Sequence, residues 1–372
     1  MFLKSKKTHR PTRVAQVTAI ISVMGLNLAA CSGSADGGSD SVELNVASWA
    51  TPDSVSEKMG DWWYSEIEDR SEGRVTFNIA AADSLCSASE IPECVRDGRA
   101  DIGQTLTDYS SQLFPQASIS SIPFLNPNGE AVTQAIYELS TEHEGASALW
   151  EQNGLQPIAH VPPGRLLLGG NEELDSIDSL QNLRLRMAGQ YAQHAVDAIG
   201  ASSVSIPAPE TYEGLERGIA DAAAFPLDGT VAYQLKDVLP EWTDPGIGTY
   251  TTIGMWMNKN VYDELPEDLR QIIDEVTQEF NQEHAQRIFS EVTLAQCDVL
   301  LDTIGDLKQW DEAETKRWSD KIGDSLEARW IADAEKDGLD EAAEYLDMYK
   351  EKLRAYEGEL NEDPSVVCAE RN

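Results

Sequence analysis

The longest helical pattern in the sequence covers about 35 residues, and it limits the folds that the chain can adopt. It opens at Leu265-Pro266-Glu267, with proline in the first turn and acidic residues near the positive end of the helix dipole. Apolar residues then recur at helical spacing from Leu269 to Val299. At a rise of about 1.5 Å per residue this helix is about 50 Å long, more than the diameter of one lobe. We therefore expect it to contact two lobes. A coiled coil is the weaker alternative, because heptads are not sustained.

Strands alternate with helices along much of the remaining chain. Residues 42–46 and 75–79 alternate apolar and polar side chains, and a helix is predicted between them at 54–68. Further short strands are predicted at 157–161 and 203–206. This order indicates βαβ units, mainly parallel sheets and an α/β fold.

One motif occurs twice, 120 residues apart. Residues 90–102 and 210–222 carry a glutamate, a glycine and an Ala-Asp pair at the same offsets. Each copy is typical of a short helix, a glycine that adopts positive φ at its end, and a buried strand. The repeat predicts two lobes built alike, with chance similarity of two glycine-capped helices as the alternative.

The N-terminal residues predict export. Five lysines and arginines precede an apolar stretch at 14–30, which is too short and too interrupted by polar residues for a membrane span. The segment Leu28-Ala29-Ala30-Cys31 resembles the bacterial lipobox, in which the cysteine is lipidated; an ordinary secretory cleavage site is the alternative. We predict a signal peptide at 1–30 and a lipidated, flexible tether at 31–41, rich in serine and glycine.

The chain is a strong polyanion. Its net charge is −37, and loss of residues 1–30, which hold five positive charges and no acidic residue, makes it −42. Such a charge repels nucleic acid, and the basic patches that bind phosphate are missing from the sequence. The mature length of about 340 residues is ample for a buried core and usually divides into two lobes. We expect a monomer that binds no nucleic acid.

Cysteine usage agrees with an oxidising compartment. Beyond Cys31 the chain has Cys86, Cys94, Cys297 and Cys368, which allow three pairings. We predict a local Cys86–Cys94 bridge and a Cys297–Cys368 bridge that fastens the C-terminal tail to the long helix. Four free thiols are the alternative.

The sequence carries no motif for a metal site or for catalysis. No cysteine pair has zinc-ligand spacing, and the histidines are scattered. Gly-x-Ser-x-Gly, His-Glu-x-x-His and Walker motifs do not occur, and paired carboxylates carry no information in so acidic a chain. We therefore expect no metal, no cofactor and no enzymatic activity; a secreted hydrolase is the weakest alternative.

Seven short segments, in order over about 300 residues, resemble the DctP-type solute-binding subunits of tripartite ATP-independent periplasmic (TRAP) transporters. Each segment is weak alone, and their order makes the resemblance specific. The segments lie at 47–49, 72–75, 95–102, 122–125, 183–187, 215–221 and 257–259, and read Ala-Ser-Trp, Glu-Gly-Arg-Val, Val-Arg-Asp-Gly-Arg-Ala-Asp-Ile, Ile-Pro-Phe-Leu, Leu-Arg-Leu-Arg-Met, Leu-Glu-Arg-Gly-Ile-Ala-Asp and Met-Asn-Lys.

The resemblance implies a two-lobed α/β fold like that of periplasmic binding proteins, with mainly parallel central sheets and a long helix that spans both lobes. On this basis we assign residues 42–163 and 250–285 to lobe I, residues 164–249 and 286–360 to lobe II, and residues 361–372 to a C-terminal tail. The lobes of such proteins close over a ligand by hinge motion, with no bond made or broken.

An arginine in the fifth of these segments binds the ligand carboxylate in the family, and Arg186 occupies the matching position. In this strand Leu183, Leu185 and Met187 share one face, whereas Arg184 and Arg186 share the other. A guanidinium is a planar fork that fits a carboxylate. We predict that Arg186 binds the ligand and that Arg184 is structural or solvated; a solvated face for both is the alternative.

Seven further positions are predicted to bind the ligand, most of them at the ends of strands. They are Arg165, Tyr109, Phe225, Trp49, Trp256, Asp228 and Asn258. Arg165 matches an interlobe arginine of the family, with a surface position as the alternative. Each aromatic residue has a core role as its alternative, and Asp228 and Asn258 are predicted to contact polar groups of the ligand.

Departures from the family pattern narrow the ligand. Phe225 precedes Pro226 where sialic-acid-type members carry an asparagine, and Gly169-Gly170-Asn171 stands where they carry a second arginine. A large polyhydroxylated acid is thereby disfavoured, and a smaller or more apolar carboxylate or a zwitterion is favoured. The resemblance implies delivery of a small organic acid to an integral-membrane TRAP permease by a lipid-anchored, extracytoplasmic protein; ligand sensing for a signalling partner is the alternative.

Overall fold

The computed structural model describes residues 41–356 and 362–371. The predicted signal peptide, Cys31 and the predicted tether up to residue 40 lie outside the described residues, as do residues 361 and 372 of the predicted tail. Within the described part of the chain, no helix combines the length and the apolar character needed to cross a membrane.

The strands of the described chain form two sheets, one in each lobe. They are β1 Val42–Ser48, β2 Val75–Ile79, β3 Ile102–Leu106, β4 Leu155–Val161, β5 Leu167–Gly170, β6 Arg184–Arg186, β7 Ser202–Val204, β8 Ala222–Phe225, β9 Glu241–Asp244, β10 Ile253–Asn258 and β11 Lys308–Gln309. The sheet of lobe I has the order β2-β1-β3-β10-β4, and the sheet of lobe II has the order β11-β9-β5-β8-β6-β7.

Helices pack on both sheets and fill most of the C-terminal third of the chain. They are α1 Val55–Arg70, α2 Ile91–Arg96, α3 Pro115–Ser118, α4 Gly129–Glu142, α5 Glu144–Gln152, α6 Gln190–Asp197, α7 Thr211–Glu216, α8 Leu227–Ala232, α9 Lys259–Glu264, α10 Glu267–Glu279, α11 Ala285–Ile304, α12 Glu312–Ile322, α13 Ser325–Lys336, α14 Ala342–Tyr356 and α15 Pro364–Ala369.

The two sheets are mixed, with parallel pairings in the majority. Five of the nine strand pairings are parallel and four are antiparallel. Every antiparallel pairing involves β5 or β10. These two strands carry the chain into lobe II and back into lobe I. Each is therefore antiparallel to the strands on both of its sides. The lobe boundaries assigned from the sequence stay a prediction.

The repeated motif forms an equivalent unit in each lobe. A glycine with positive φ follows α2 in one unit and α7 in the other. Asp101, before β3, accepts a hydrogen bond from the backbone N–H of Asn45 at 2.7 Å. In the same way, Asp221 accepts from the backbone N–H of Arg184 at 2.9 Å, and its carboxylate also pairs with the Arg184 guanidinium. Each aspartate thus fastens its strand to the neighbouring parallel strand.

The predicted long helix consists of α10, a π-helical turn at Phe280–His284, and α11. The turn forms where the Asn281 side chain donates to the backbone oxygens of Thr277 and Ile158, both at 2.8 Å. On the lobe I side, Trp63 of α1 donates to the Thr277 hydroxyl at 3.1 Å. Farther along, α11 packs against α8 of lobe II. The helix contacts both lobes, as predicted.

Both predicted disulfides are present in the structure. Cys86 is joined to Cys94, at the start of the α2 unit. Cys297 of α11 is joined to Cys368 of α15, across a sequence separation of 71 residues. The second bridge therefore attaches the C-terminal helix to the long helix.

Candidate functional site

A cavity lies between the two lobes. In this closed arrangement the free space inside it is about 20 Å³, enough for about one water molecule. Its wall is mainly apolar and aromatic and comes from both lobes. The wall includes Trp49, Leu106 and Ile253 of the first sheet and its edges, and Ala208, Phe225, Pro226 and Tyr233 of the second. Such a wall suits a largely apolar molecule, and the lobes must part to admit it.

Arg186, the last residue of β6, lies in the cavity wall and is 1% exposed. Its Nε donates to the backbone oxygen of Ile206 at 2.9 Å, and its Nη1 donates to the backbone oxygen of Ala224 at 3.0 Å. The guanidinium carbon lies 4.0 Å from the centre of the Phe225 ring, within range of a cation–π interaction. Two carbonyls and one ring thus fix the guanidinium in a single orientation.

The Arg186 Nη2 group is buried and has no hydrogen-bond partner among the described residues. The guanidinium also has no carboxylate within 4.0 Å in that part of the chain, since none of the ion pairs there includes it. A desolvated cation without an opposite charge costs several kcal/mol, and an unpaired N–H adds to that cost. Among the described residues the buried guanidinium therefore lacks a compensating negative charge in direct contact.

Aromatic rings from the two lobes meet beside this cation. Trp49, which follows β1, lies with its ring 6.0 Å from the ring of Tyr233 and 6.4 Å from that of Tyr109. Tyr233 in turn lies 6.0 Å from Phe225. The Trp49 Nε1–H is buried without a protein acceptor in the described chain, so it is a second donor available at the cavity.

Two hydrogen bonds join the lobes at the cavity. The backbone N–H of Ala208 donates to the Tyr109 hydroxyl at 2.8 Å. The backbone N–H of Val55, the first residue of α1, donates to Asp228 of α8 at 3.1 Å. Because each bond links an element of lobe I to one of lobe II, the structure is that of a closed crevice.

Asp228 contributes the second charged group of the cavity wall, and it is 5% exposed. Burial raises the pKa of this carboxyl to about 6, although hydrogen bonds from Val55 and Gln296 act in the opposite direction. Its place at the N-terminus of α1 also favours the ionised form. The carboxyl is therefore mainly ionised above pH 6.

A second buried carboxyl supports the junction between the lobes. The hydroxyls of Ser121 and Thr251 both donate to Asp108, and burial raises the pKa of Asp108 to about 6. Gly189, between β6 and α6, approaches this carboxyl so closely that a Cβ would lie 3.0 Å from Oδ1. Its φ of +81° also favours glycine. This close approach places the end of β6, and with it Arg186, against lobe I.

Sequence reasoning did not find Tyr233 and Tyr250, which line the cavity. Burial raises the pKa of the Tyr250 phenol well above its usual value, and the positive charge of Arg186 together with a hydrogen bond between the two side chains acts in the opposite direction. Tyr250 lies in the segment that returns to lobe I, where no periodic pattern marks its direction. Tyr233 follows directly after α8, the helix that carries Asp228, and this nearness in the sequence was the available signal.

Four of the eight predicted ligand-binding residues are not part of the cavity wall: Arg165, Tyr109, Trp256 and Asn258. Arg165 pairs through Nε with the buried Asp244 at 2.8 Å and lines a separate, open depression. The Arg165 guanidinium, which the resemblance predicts to bind the ligand, is thus already paired with a carboxylate. Its Nη1 also donates to the backbone oxygen of Pro127 in lobe I at 3.4 Å, so Arg165 joins the lobes away from the cavity wall, and its role toward a ligand stays a prediction.

Trp256 and Asn258 do not line the cavity, and their side chains contact other residues of lobe I. Trp256 stacks on Phe114 at 4.3 Å between ring centres and donates from Nε1 to His160 at 3.0 Å. Its side chain lies on the helix-covered face of β10, so it belongs to the core of lobe I. Asn258 caps α9 and donates to the backbone oxygen of Val95 at 2.7 Å.

The position of Arg165 leads to a test. The substitution Arg165→Ala is expected to leave ligand affinity unchanged, because the side chain does not reach the cavity. It is expected to lower the free energy of unfolding by about 2 kcal/mol, since Asp244 keeps a buried charge without its partner. Ligand titration and urea unfolding of the variant measure the two quantities. A tenfold loss of affinity at unchanged stability would return Arg165 to the ligand site.

The described residues contain no group of three or more histidine, cysteine, aspartate or glutamate side chains placed to hold a metal ion. Of the predicted ligand-binding residues, Arg186, Trp49, Phe225 and Asp228 meet in one cavity wall, and the ring of Tyr109 contacts that of Trp49 edge to face. Their roles toward a ligand stay predictions. The arrangement is suited to hold a small anion between a fixed guanidinium and aromatic rings.

Residues 46–331 match the DctP family, described as bacterial extracellular solute-binding protein, family 7. The ectoine-binding periplasmic protein TeaA of Halomonas elongata is 26% identical over 211 residues, 56% of this chain and 61% of TeaA. The ectoine/5-hydroxyectoine-binding periplasmic protein UehA of Ruegeria pomeroyi is 22% identical over 213 residues, 56% of this chain and 61% of UehA. The matched region thus spans about three fifths of these relatives.

Solved structures share the fold over most of their length. A TRAP solute-binding protein from Rhodoferax ferrireducens, in complex with copurified benzoate, superposes with a TM-score of 0.77 at 22% identity and covers 85% of this chain and 99% of that one. The periplasmic ectoine-binding protein of Halomonas elongata superposes with a TM-score of 0.73 at 21% identity, covering 84% and 100%. The two-lobed architecture is that of this class of structure.

Proposed function

The chain belongs to the DctP family, family 7 of the bacterial extracellular solute-binding proteins, and from this premise we propose that it captures a small organic carboxylate between its lobes. The captured acid is delivered to a TRAP-type permease in the membrane. The observation that carries this proposal is the buried Arg186 guanidinium, whose Nη2 lacks a protein acceptor in the described chain.

A carboxylate supplies what this guanidinium lacks. One oxygen accepts a short charge-assisted hydrogen bond from Nη2, and the negative charge offsets the buried cation. The carboxamide of the same acid is uncharged, so it leaves the cation uncompensated. We therefore expect the protein to prefer acids over their amides by a factor of about 100 or more.

The wall around the cation selects the rest of the ligand. Trp49, Phe225 and Tyr233 offer aromatic surface to an apolar body, and the closeness of the two lobes limits its size. Burial of an apolar body contributes about 25 cal/mol per Å² of surface removed from water. A compact ring or a short branched chain fits these conditions better than a sugar acid, whose hydroxyls need many polar partners.

Delivery requires the protein to stay near its permease. We propose that lipidation of Cys31 and the tether that follows hold a monomer at the outer face of the cell membrane. More than one acyl chain is needed for stable anchoring, because a single chain of myristoyl length binds a membrane reversibly. The net charge of −42 opposes an approaching anion only over about 8–10 Å at physiological salt, so local contacts in the cavity dominate affinity.

A thermal-shift screen tests the proposal. Residues 40–372, which form one compact unit, are mixed with small organic acids and with the amides of the same acids. An acid at about 100 times its Kd is expected to add about 2.7 kcal/mol to the free energy of unfolding, a rise in Tm of about 4 °C. The amides are expected to give no rise. Equal responses to acids and amides would rule out a carboxylate as the recognised group.

A further inference from the structure

The cavity wall holds two opposite charges. Among the described residues that line it, Arg186 is the one basic side chain and Asp228 the one acidic side chain. Both are deeply buried, at 1% and 5% exposure. The remaining polar groups of the wall are hydroxyls of serine, threonine and tyrosine. The cavity therefore offers a place for each sign of charge.

We propose that the ligand is a small zwitterion, whose carboxylate binds Arg186 and whose protonated nitrogen binds the carboxylate of Asp228. This inference rests on the proposed function, in which Arg186 holds a carboxylate. It adds the chemical class of the ligand, and it assigns Asp228 as the residue that determines specificity for a cationic nitrogen.

Asp228 has capacity for such a partner. A carboxylate has about four acceptor positions, and the Val55 N–H occupies one of them at 3.1 Å. The Gln296 side chain also forms a hydrogen bond to this carboxyl. Asp228 itself lines the cavity, where a charge-assisted hydrogen bond to a remaining acceptor position would be strong.

The charge balance of the closed cavity also favours a zwitterionic ligand. Before a ligand enters, Arg186 and Asp228 sum to zero. A simple anion would leave a net charge of −1 in a space of low polarity, with two carboxylates near each other. A zwitterion keeps the sum at zero and places an opposite charge beside each buried group, which removes the cost of an unpaired charge.

The aromatic rings of the wall also favour a ligand with a protonated nitrogen. Trp49 and Tyr233 line the same cavity as Asp228, and their ring faces carry partial negative charge. A protonated nitrogen near such faces is stabilised by cation–π interaction. A second carboxylate or an apolar ring edge gains less from the same surface.

The hydrogen bond from Val55 gives Asp228 a structural role as well, because it joins the lobes. Asparagine at position 228 keeps an oxygen that accepts from Val55 and loses the negative charge. A purely structural Asp228 therefore predicts that Asp228→Asn changes the affinity for all ligands by the same factor. A role in specificity predicts that the change depends on whether the ligand carries a positive charge.

Matched ligand pairs separate these cases. Pipecolate and cyclohexanecarboxylate differ by one ring NH₂⁺ in place of CH₂, and proline and cyclopentanecarboxylate differ in the same way. Calorimetric titration measures the four affinities for the parent protein, for Asp228→Asn and for the control Asp320→Asn, which removes an exposed carboxylate on α12. The parent and the control are expected to bind each zwitterion at least about tenfold more tightly than its partner. Asp228→Asn is expected to abolish or reverse that preference.

The outcomes distinguish the two proposals. If the simple acids bind as well as the zwitterions, and Arg186→Lys weakens both, the zwitterion inference is wrong and the proposed function stands. If the zwitterions bind and Arg186→Lys has no effect, the carboxylate site is wrong. If no probe binds at about 10 mM, where affinities near 3 kcal/mol are still detected, both fail for ligands of this size.

Discussion

Replacing Arg186 by lysine is expected to weaken binding of the preferred carboxylate by about 100-fold, with little loss of fold. Lysine keeps the positive charge, but it cannot donate to Ile206, Ala224 and a ligand from one rigid plane. The ammonium also loses the stacking on Phe225 that orients the guanidinium. Calorimetric titration gives the change in Kd, and circular dichroism checks the fold.

Arg184→Lys is the matched control, because it lies two positions earlier on the same strand. Arg184 is about half exposed and pairs with Asp221 at the first residue of β6. Its substitution is expected to change affinity by less than about twofold, since exposed ion pairs contribute little. Similar losses in the two variants would mean that Arg186 acts through the strand and not through the ligand.

Removal of the Cys297–Cys368 bridge is expected to lower the free energy of unfolding by about 4 kcal/mol, or Tm by about 6 °C. The bridge closes a loop with a sequence separation of 71 residues, so it restricts the unfolded chain strongly. In the folded state it also holds α15 on α11. Urea unfolding of the double Cys→Ser variant measures the loss.

The other bridge gives the control for this prediction. Cys86 and Cys94 are separated by 8 residues, and the same chain-entropy argument predicts a loss of only about 2.5 kcal/mol. Losses in the reverse order would contradict the entropic account. Ligand affinity is expected to stay unchanged in both variants, because none of the four cysteines lines the cavity.

Periodic and repeated features were predictable from the sequence. The long helix follows from the spacing of apolar residues between Leu269 and Val299, which is set by the helix itself and needs no knowledge of partners. The repeated units follow from glycines that only a tight helix end requires. Arg186 was predictable because strand alternation separates it from Leu185, and the resemblance then selected it over Arg184.

Features that depend on how the chain crosses between lobes were not predictable. The antiparallel direction of β5 and β10 follows from the crossing, which leaves no local pattern. The ion pair of Arg165 was not predictable because its partner Asp244 is 79 positions away in the sequence. The contacts of Trp256 were not predictable because a strand buried on both faces shows no alternation that tells the cavity side from the core side.

The most direct measurement is a structure of residues 40–372 with the acid that gives the largest rise in Tm. A carboxylate oxygen of that acid is predicted within about 3 Å of Arg186 Nη2, with the rest of the molecule against Trp49 and Phe225. A carboxylate bound outside the interlobe cavity, with Nη2 still lacking an acceptor, would contradict the account.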